Sequence, residues 1–149
     1  MSDGERPPLD PQIAALEEAL PDGLALPVGD PAIARETFRA LNVAMGENSP
    51  PADLASTEEL EVPGAAGSLR ARLYRPHAEA PVATLLFVHG GGFVIGDVDA
   101  YDLQARTLAE KARVAVLSTE YRLAPEDPFP AAIEDVLSVA RWTLANAES

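Results

Sequence analysis

The order of apolar patterns along the chain predicts an α/β fold. From Thr57, "TEELEVP" and "SLRARLYRP" read as two short strands with Gly64 and Gly67 between them, a hairpin. Two unbroken apolar runs follow, "VATLLFVH" and "VAVLSTEY", each succeeded by a segment of helical spacing. Runs without alternation suit parallel strands covered by helices on both faces. Hairpin, then β-α-β-α, therefore predicts a mostly parallel sheet wound with right-handed crossovers.

Taken in order, the first element is a helix starting at Asp10 and Pro11, an N-cap oxygen followed by a residue whose missing N–H is harmless at the first helical position. Ile13, Leu16 and Leu20 share its face, and Pro21 and Gly23 end it. Asp30 and Pro31 repeat the start signal for a second helix with a stripe of Ala34, Phe38, Leu41 and Met45, closed between Gly46 and Pro51. In the second hairpin strand Leu69, Ala71 and Leu73 alternate with Arg70, Arg72 and Tyr74, which predicts one buried and one wet face. The helix in "YDLQARTLAEKA" is expected to bury Tyr101, Ala105, Leu108 and Ala112. The last helix is expected to bury Ile133, Val136, Leu137, Ala140 and Leu144.

Composition narrows the function. The 149 residues are 47% hydrophobic and 23% charged, enough for one domain with a core or part of one. A net charge of −13, from 24 acids against 11 bases, disfavours nucleic acid and anionic membranes as partners. There is no cysteine, which removes disulfides, thiolate metal sites and a cysteine nucleophile, and only two histidines, His77 and His89. The acidic, proline-rich start has no basic-then-apolar leader pattern and no run approaches membrane-spanning length, so a soluble, cytoplasmic protein is expected.

The stretch "LLFVHGGGFVIGD", Leu85 to Asp97, places three glycines at the carboxyl end of a strand, where parallel sheets bind ligands. Glycines there permit dihedrals closed to other residues and let a substrate approach main-chain N–H groups unobstructed. Neither the dinucleotide pattern G-x-G-x-x-G nor a P-loop Gly-Lys pair is present, so phosphate cradling is disfavoured. Asp97, Asp99 and Asp102, just before a helix, are better explained by capping and the helix dipole than by metal binding. His77, in a proline-bounded loop, reads as a surface residue.

"HGGGF", His89 to Phe93, and "YRLAPEDPFPAAIED", Tyr121 to Asp135, together resemble the hormone-sensitive-lipase-like esterases of the α/β-hydrolase fold. The resemblance implies that Gly91 and Gly92 donate backbone N–H groups to a tetrahedral intermediate, that Gly90 makes the turn, and that His89 braces the loop without being the general base. Tyr121, Arg122 and Glu126 are expected to tie down the loop beneath the glycines. Residues 1–50 would be N-terminal cap helices over the acyl pocket, and residues 51–149 the N-terminal half of the hydrolase core. Small carboxylic esters are the implied substrates, with no cofactor or metal.

Such an esterase also needs G-x-S-x-G, then an acid and a histidine. None of the seven serines, Ser2, Ser49, Ser56, Ser68, Ser118, Ser138 and Ser149, has glycine two places before and two after. The chain is therefore expected to be inert alone. It would be complemented by a separate C-terminal half, would pair with itself through the exposed edge of "TLLFVH", or would be a cut product of a longer enzyme. A non-catalytic truncated paralogue acting as a binding or oligomerisation module is the main rival reading, and a glycine-loop anion-binding domain a third.

Overall fold

The computed structural model describes residues 10–12, 29–78 and 82–146. Of the first expected helix only the start is described: Asp10 Oδ1 accepts the Gln12 N–H at 2.8 Å, as an N-cap should, while Ile13, Leu16 and Leu20 lie outside the described residues. Helix α1 (Pro31–Glu47) is capped by Asp30, whose Oδ1 accepts from Ala32 N at 2.9 Å and Ile33 N at 3.4 Å. Its apolar stripe is only half used. Ala34 is buried and Phe38 packs on Tyr101 at 5.7 Å, but Leu41 and Met45 stay exposed, because further along α1 the contact is polar, Arg39 against Asp97 and Asp99.

Strands β1 (Ser56–Pro63) and β2 (Ser68–Arg75) form the expected hairpin, in register from Ser56 opposite Arg75 to Pro63 opposite Ser68. Then come β3 (Thr84–Val88), α2 (Asp102–Ala112), β4 (Ala115–Thr119) and α3 (Ala131–Ala145). The four strands are ordered β1-β2-β4-β3. The sheet is mixed, not mostly parallel: β2 pairs antiparallel with both β1 and β4, and only β3 with β4 is parallel. The hairpin supplies half the strands, so the parallel ladder begins only at β4.

All five residues of β4 are buried, with apolar layers on either side. On one face Val62, Ala71, Leu73, Leu117 and Val139 meet under α3; on the other Tyr74, Val116, Ala105 and Ala109 meet under α2. Ala109, not the expected Ala112, faces the sheet from α2; Ala112 is the helix's exposed last residue, and Arg113 beyond it turns left-handed at φ 56°. Sequence spacing also favoured the wrong side of α3. Its buried residues are Ala131, Ala132, Asp135 and Val139, whereas Ile133, Leu137 and Leu144 are exposed. Asp135 lies on the inner face because four donors meet it: Ala65 N at 2.9 Å, Arg122 N at 3.0 Å, Arg122 Nε at 2.8 Å and Arg122 Nη2 at 3.0 Å. A paired carboxylate can occupy a core position that a pattern of apolar residues alone would deny it.

The face of β2 expected to be wet is covered. Tyr74 is buried and donates to Asp102 at 2.7 Å; Arg72 reaches Asp102 at 2.9 Å and Asp99 at 2.7 Å, and Arg70 holds Asp99 with two bonds of 2.8 Å. Asp99 also takes Arg39, and Glu59 takes Arg70 and Arg72. Asp99 and Asp102 are thus anchors for arginines, and α2 has no side-chain cap; Asp97 accepts from Ala100 N at 2.7 Å in the turn before the helix. The arginines around Asp99, Arg70 first, hold its carboxyl well below the usual carboxylate range.

A folded-state pKa below the unfolded value of about 3.9 means this stabilisation is complete above that value and is lost as pH falls towards the folded one. Asp99→Asn should lower Tm at pH 7 by roughly 5 °C and flatten the acid side of the Tm-against-pH curve below about pH 4, measured by thermal circular dichroism.

Candidate functional site

β3 delivers His89 to the top of the sheet and the chain then folds back on itself through residue 96. Gly91, Gly92, Phe93 and Gly96 all have positive φ, at 127°, 61°, 64° and 101°. Two of these glycines are required by contact as well as by dihedral. A Cβ on Gly91 would lie 1.9 Å from Ile95 O, and one on Gly96 2.5 Å from His89 Nδ1 and 2.7 Å from Gly90 O. Phe93, a non-glycine in the left-handed region, is held there although half exposed, a local strain of order 1 kcal/mol.

What holds the loop is a set of bonds to its carbonyls. Tyr121 OH donates to His89 O at 2.9 Å, His89 Nδ1 to Gly90 O at 2.8 Å, and Val94 N and Ile95 N both to Gly91 O at 3.1 and 3.0 Å. Ala124 N donates to Phe93 O at 2.8 Å and Arg35 Nε to Val94 O at 2.7 Å. In a trans peptide the N–H points opposite to the C=O of the same plane. Tying Gly90 O therefore aims the Gly91 N–H away from the His89 ring, and tying Gly91 O aims the Gly92 N–H away from the Val94–Ile95 turn. Among the described residues neither of these two N–H groups donates to any protein acceptor.

His89 is buried, its ring stacked on Tyr121 at 4.3 Å and on Tyr101 at 5.5 Å. Because Gly90 O can only accept, Nδ1 carries the proton and Nε2 is an acceptor, buried without a partner among the described residues. Burial pushes the His89 pKa down, only partly offset by the Gly90 carbonyl and Asp97. The ring is a neutral brace, as its position under the loop requires.

The other expected residues fall where the sequence suggests. Tyr121 lies beneath the loop through His89, Arg122 is clamped by Asp135, and Glu126 is paired with Arg35. His77 is exposed, 3.1 Å from Asp53. Three contributors were not foreseen: Arg35, Gly96 and Tyr101. Gly96 carries one signal, a lone glycine after Val94 and Ile95; Arg35 carries none, since its partners lie 59 and 89 residues away.

Beside the glycines is an apolar cleft of about 320 Å³ lined by Val88, His89, Phe93, Tyr121, Ile133 and Leu137. A second, of about 230 Å³, runs past Gly92, Phe93, Phe129 and Ile133. A larger cleft of about 520 Å³ between α1 and α2 is lined by Arg39, Arg72, Arg106, Asp99 and Asp102, whose charges satisfy one another, and it does not touch the glycines. Apolar walls with the Gly92 backbone in their lining suit an uncharged organic ligand carrying a polarised oxygen.

Residues 85–149 match the family defined by the alpha/beta hydrolase fold. The chain is 39% identical over 143 residues to an esterase of Mycobacterium tuberculosis, LipI, covering 93% of this chain and 42% of that protein. Among solved structures, a bacterial heroin esterase superposes with a TM-score of 0.81 at 35% identity, over 94% of this chain and 44% of that one. An esterase from the bacterial hormone-sensitive lipase family does so with a TM-score of 0.67 at 31% identity, over 84% of this chain and 39% of that one. The chain belongs to the α/β-hydrolase fold family and is similar to esterases, one of the bacterial hormone-sensitive lipase family among them. It spans less than half the length of these relatives. No described helix is long and apolar enough to cross a membrane.

Gly91→Ala and Gly92→Ala separate contact from dihedral. Nothing lies within 4 Å of a Cβ on Gly92, so its replacement should cost only about 1 kcal/mol for the left-handed φ. Gly91→Ala cannot keep this loop at all, and should be the more destabilising of the two in urea titrations and alone should displace the Val94 and Ile95 amide resonances strongly.

Proposed function

We propose that this chain supplies the oxyanion-binding half of a serine carboxylesterase acting on small carboxylic esters. The observation that carries the reading is that Gly91 and Gly92 carry N–H groups with no protein acceptor among the described residues, whose directions are set by anchored carbonyls, with Gly92 lining an apolar cleft. Donors preorganised in this way stabilise charge growing on a carbonyl oxygen without reorganising during the reaction. A serine outside these residues attacks the ester carbonyl as a base takes its proton; the oxyanion forms against Gly91 and Gly92; the alcohol leaves with a proton and water then releases the acid. The N-terminal region, residues 1–50, caps the acyl side in this reading, and we place the protein in the cytoplasm.

The nucleophile, the acid and the catalytic histidine come from a complementary C-terminal half. Supporting this, β3 pairs only with β4 among the described residues, Val88 on β3 lies with Ile133 and Leu137 on α3 along one exposed apolar surface, and Leu85 is exposed as well. An unpaired strand edge flanked by apolar side chains invites strand addition. One observation favours the rival module reading: no serine of this chain sits in G-x-S-x-G. There the same edge serves self-association and no ester is hydrolysed.

A p-nitrophenyl acetate assay decides between them. The chain alone should show no hydrolysis above background, and a C-terminal polypeptide carrying G-x-S-x-G, added or co-purified, should restore it. Disturbing one oxyanion donor should then lower kcat by about 10²–10³. Hydrolysis by the chain alone would contradict the missing-nucleophile assignment, and a stable but inactive complex would favour the module.

A further inference from the structure

We infer that Arg35 is the positioning residue of the glycine loop: from helix α1, one guanidinium fixes the peptide plane that in turn sets the direction of the Gly92 N–H. The inference rests on the oxyanion reading above for its functional meaning, though not for its structural content.

The path can be followed bond by bond. Arg35 Nε donates to Val94 O at 2.7 Å, and that carbonyl shares a planar peptide with the Ile95 N–H. Ile95 N donates to Gly91 O at 3.0 Å, and that carbonyl shares a planar peptide with the Gly92 N–H. Rotating the Val94–Ile95 plane would release Gly91 O from one of its two donors and free the Gly92 amide to swing. Arg35 Nη2 at the same time donates to Ala124 O at 2.7 Å, while Ala124 N donates to Phe93 O at 2.8 Å. The two loops on either side of the cleft are thereby joined twice, once by their own backbone and once through Arg35.

Glu126 holds the other side of the guanidinium in a two-pronged pair, Nη1 to Oε1 at 2.9 Å and Nη2 to Oε2 at 2.7 Å, and is itself exposed. Glu126 raises the pKa of Arg35 and Arg35 lowers that of Glu126 to about 2, so both stay charged across the physiological range. Only a planar fork can reach two carbonyls and a carboxylate in these directions; a lysine ammonium can satisfy one of the carbonyls at a time. The N-terminal region therefore does more than cover a cleft: its docking and the loop's geometry are coupled through a single side chain.

Amide hydrogen exchange by NMR on the 149-residue chain tests the clamp directly. In Arg35→Met the Ile95 and Ala124 amides should exchange at least about tenfold faster, with Val116 and Leu117 at the centre of the sheet unchanged. Arg35→Lys should recover part of that protection, and Glu126→Gln, which leaves both carbonyl bonds available, should stay within about twofold of the wild type. In the completed enzyme Arg35→Met should lower kcat about tenfold and leave KM within about twofold, with Arg35→Lys in between. Unchanged Ile95 and Ala124 exchange in Arg35→Met, or equal loss in Glu126→Gln, would overturn the clamp. Absence of ester hydrolysis by the completed wild type would instead overturn the oxyanion reading and leave the exchange result standing.

Discussion

The glycine loop depends on a constraint about carbonyls, not about the amides that find no acceptor within it. Of the six peptide oxygens from His89 to Val94, all but that of Gly92 are tied: to a tyrosine hydroxyl from the loop after β4, the His89 ring, two N–H groups of the loop's own turn, the Ala124 amide, and Arg35 of α1. Because a peptide is planar and trans, securing one end fixes the direction of the other. The Gly91 and Gly92 N–H groups are left pointing outward with no internal partner. At Gly91 the lack of a Cβ matters by contact, since the space is already filled by Ile95.

That constraint reaches into the scaffold by a few stiff connections. Tyr121 and Ala124 lie just beyond β4, the strand buried along its whole length between α2 and α3. Arg122, in the same segment, is locked to Asp135 on the inner face of α3, and Asp135 also takes Ala65 N from the hairpin turn. On the far face Asp99 and Asp102 gather Arg39, Arg70, Arg72 and Arg106, joining α1, β2 and the start of α2. Each connection is a charged, multidentate contact, the type in which geometry is most tightly specified. The loop is thus referenced to both faces of the sheet.

The fold class and the place of the glycine loop were legible in the sequence; the inner surfaces were not. Unbroken apolar runs located β3 and β4, Asp30 before Pro31 located α1, and "HGGGF" located the loop. The errors share one cause: a reading that sorts residues into apolar and polar cannot see pairing. It left Arg70, Arg72 and Tyr74 in water although carboxylates from the next helix cover them, and it refused Asp135 a core position that four donors make comfortable. It turned α3 onto Ile133, Leu137 and Leu144, a second apolar face that the described residues leave bare. Arg35 was invisible for a different reason: its bonds span most of the sequence and involve backbone atoms, which no residue type announces.

The most direct measurement is an ¹⁵N–¹H spectrum of the chain completed with the polypeptide that carries the serine, before and after a phosphonate ester has reacted to leave a tetrahedral, negatively charged oxygen on it. Two N–H groups receiving that oxygen should have their proton resonances, those of Gly91 and Gly92, moved strongly downfield, with the Ile95 amide almost unmoved because its bond to Gly91 O is already made. A phosphonylated complex in which Gly91 and Gly92 keep their free-state shifts would contradict the account, since the charge would then be held by other groups.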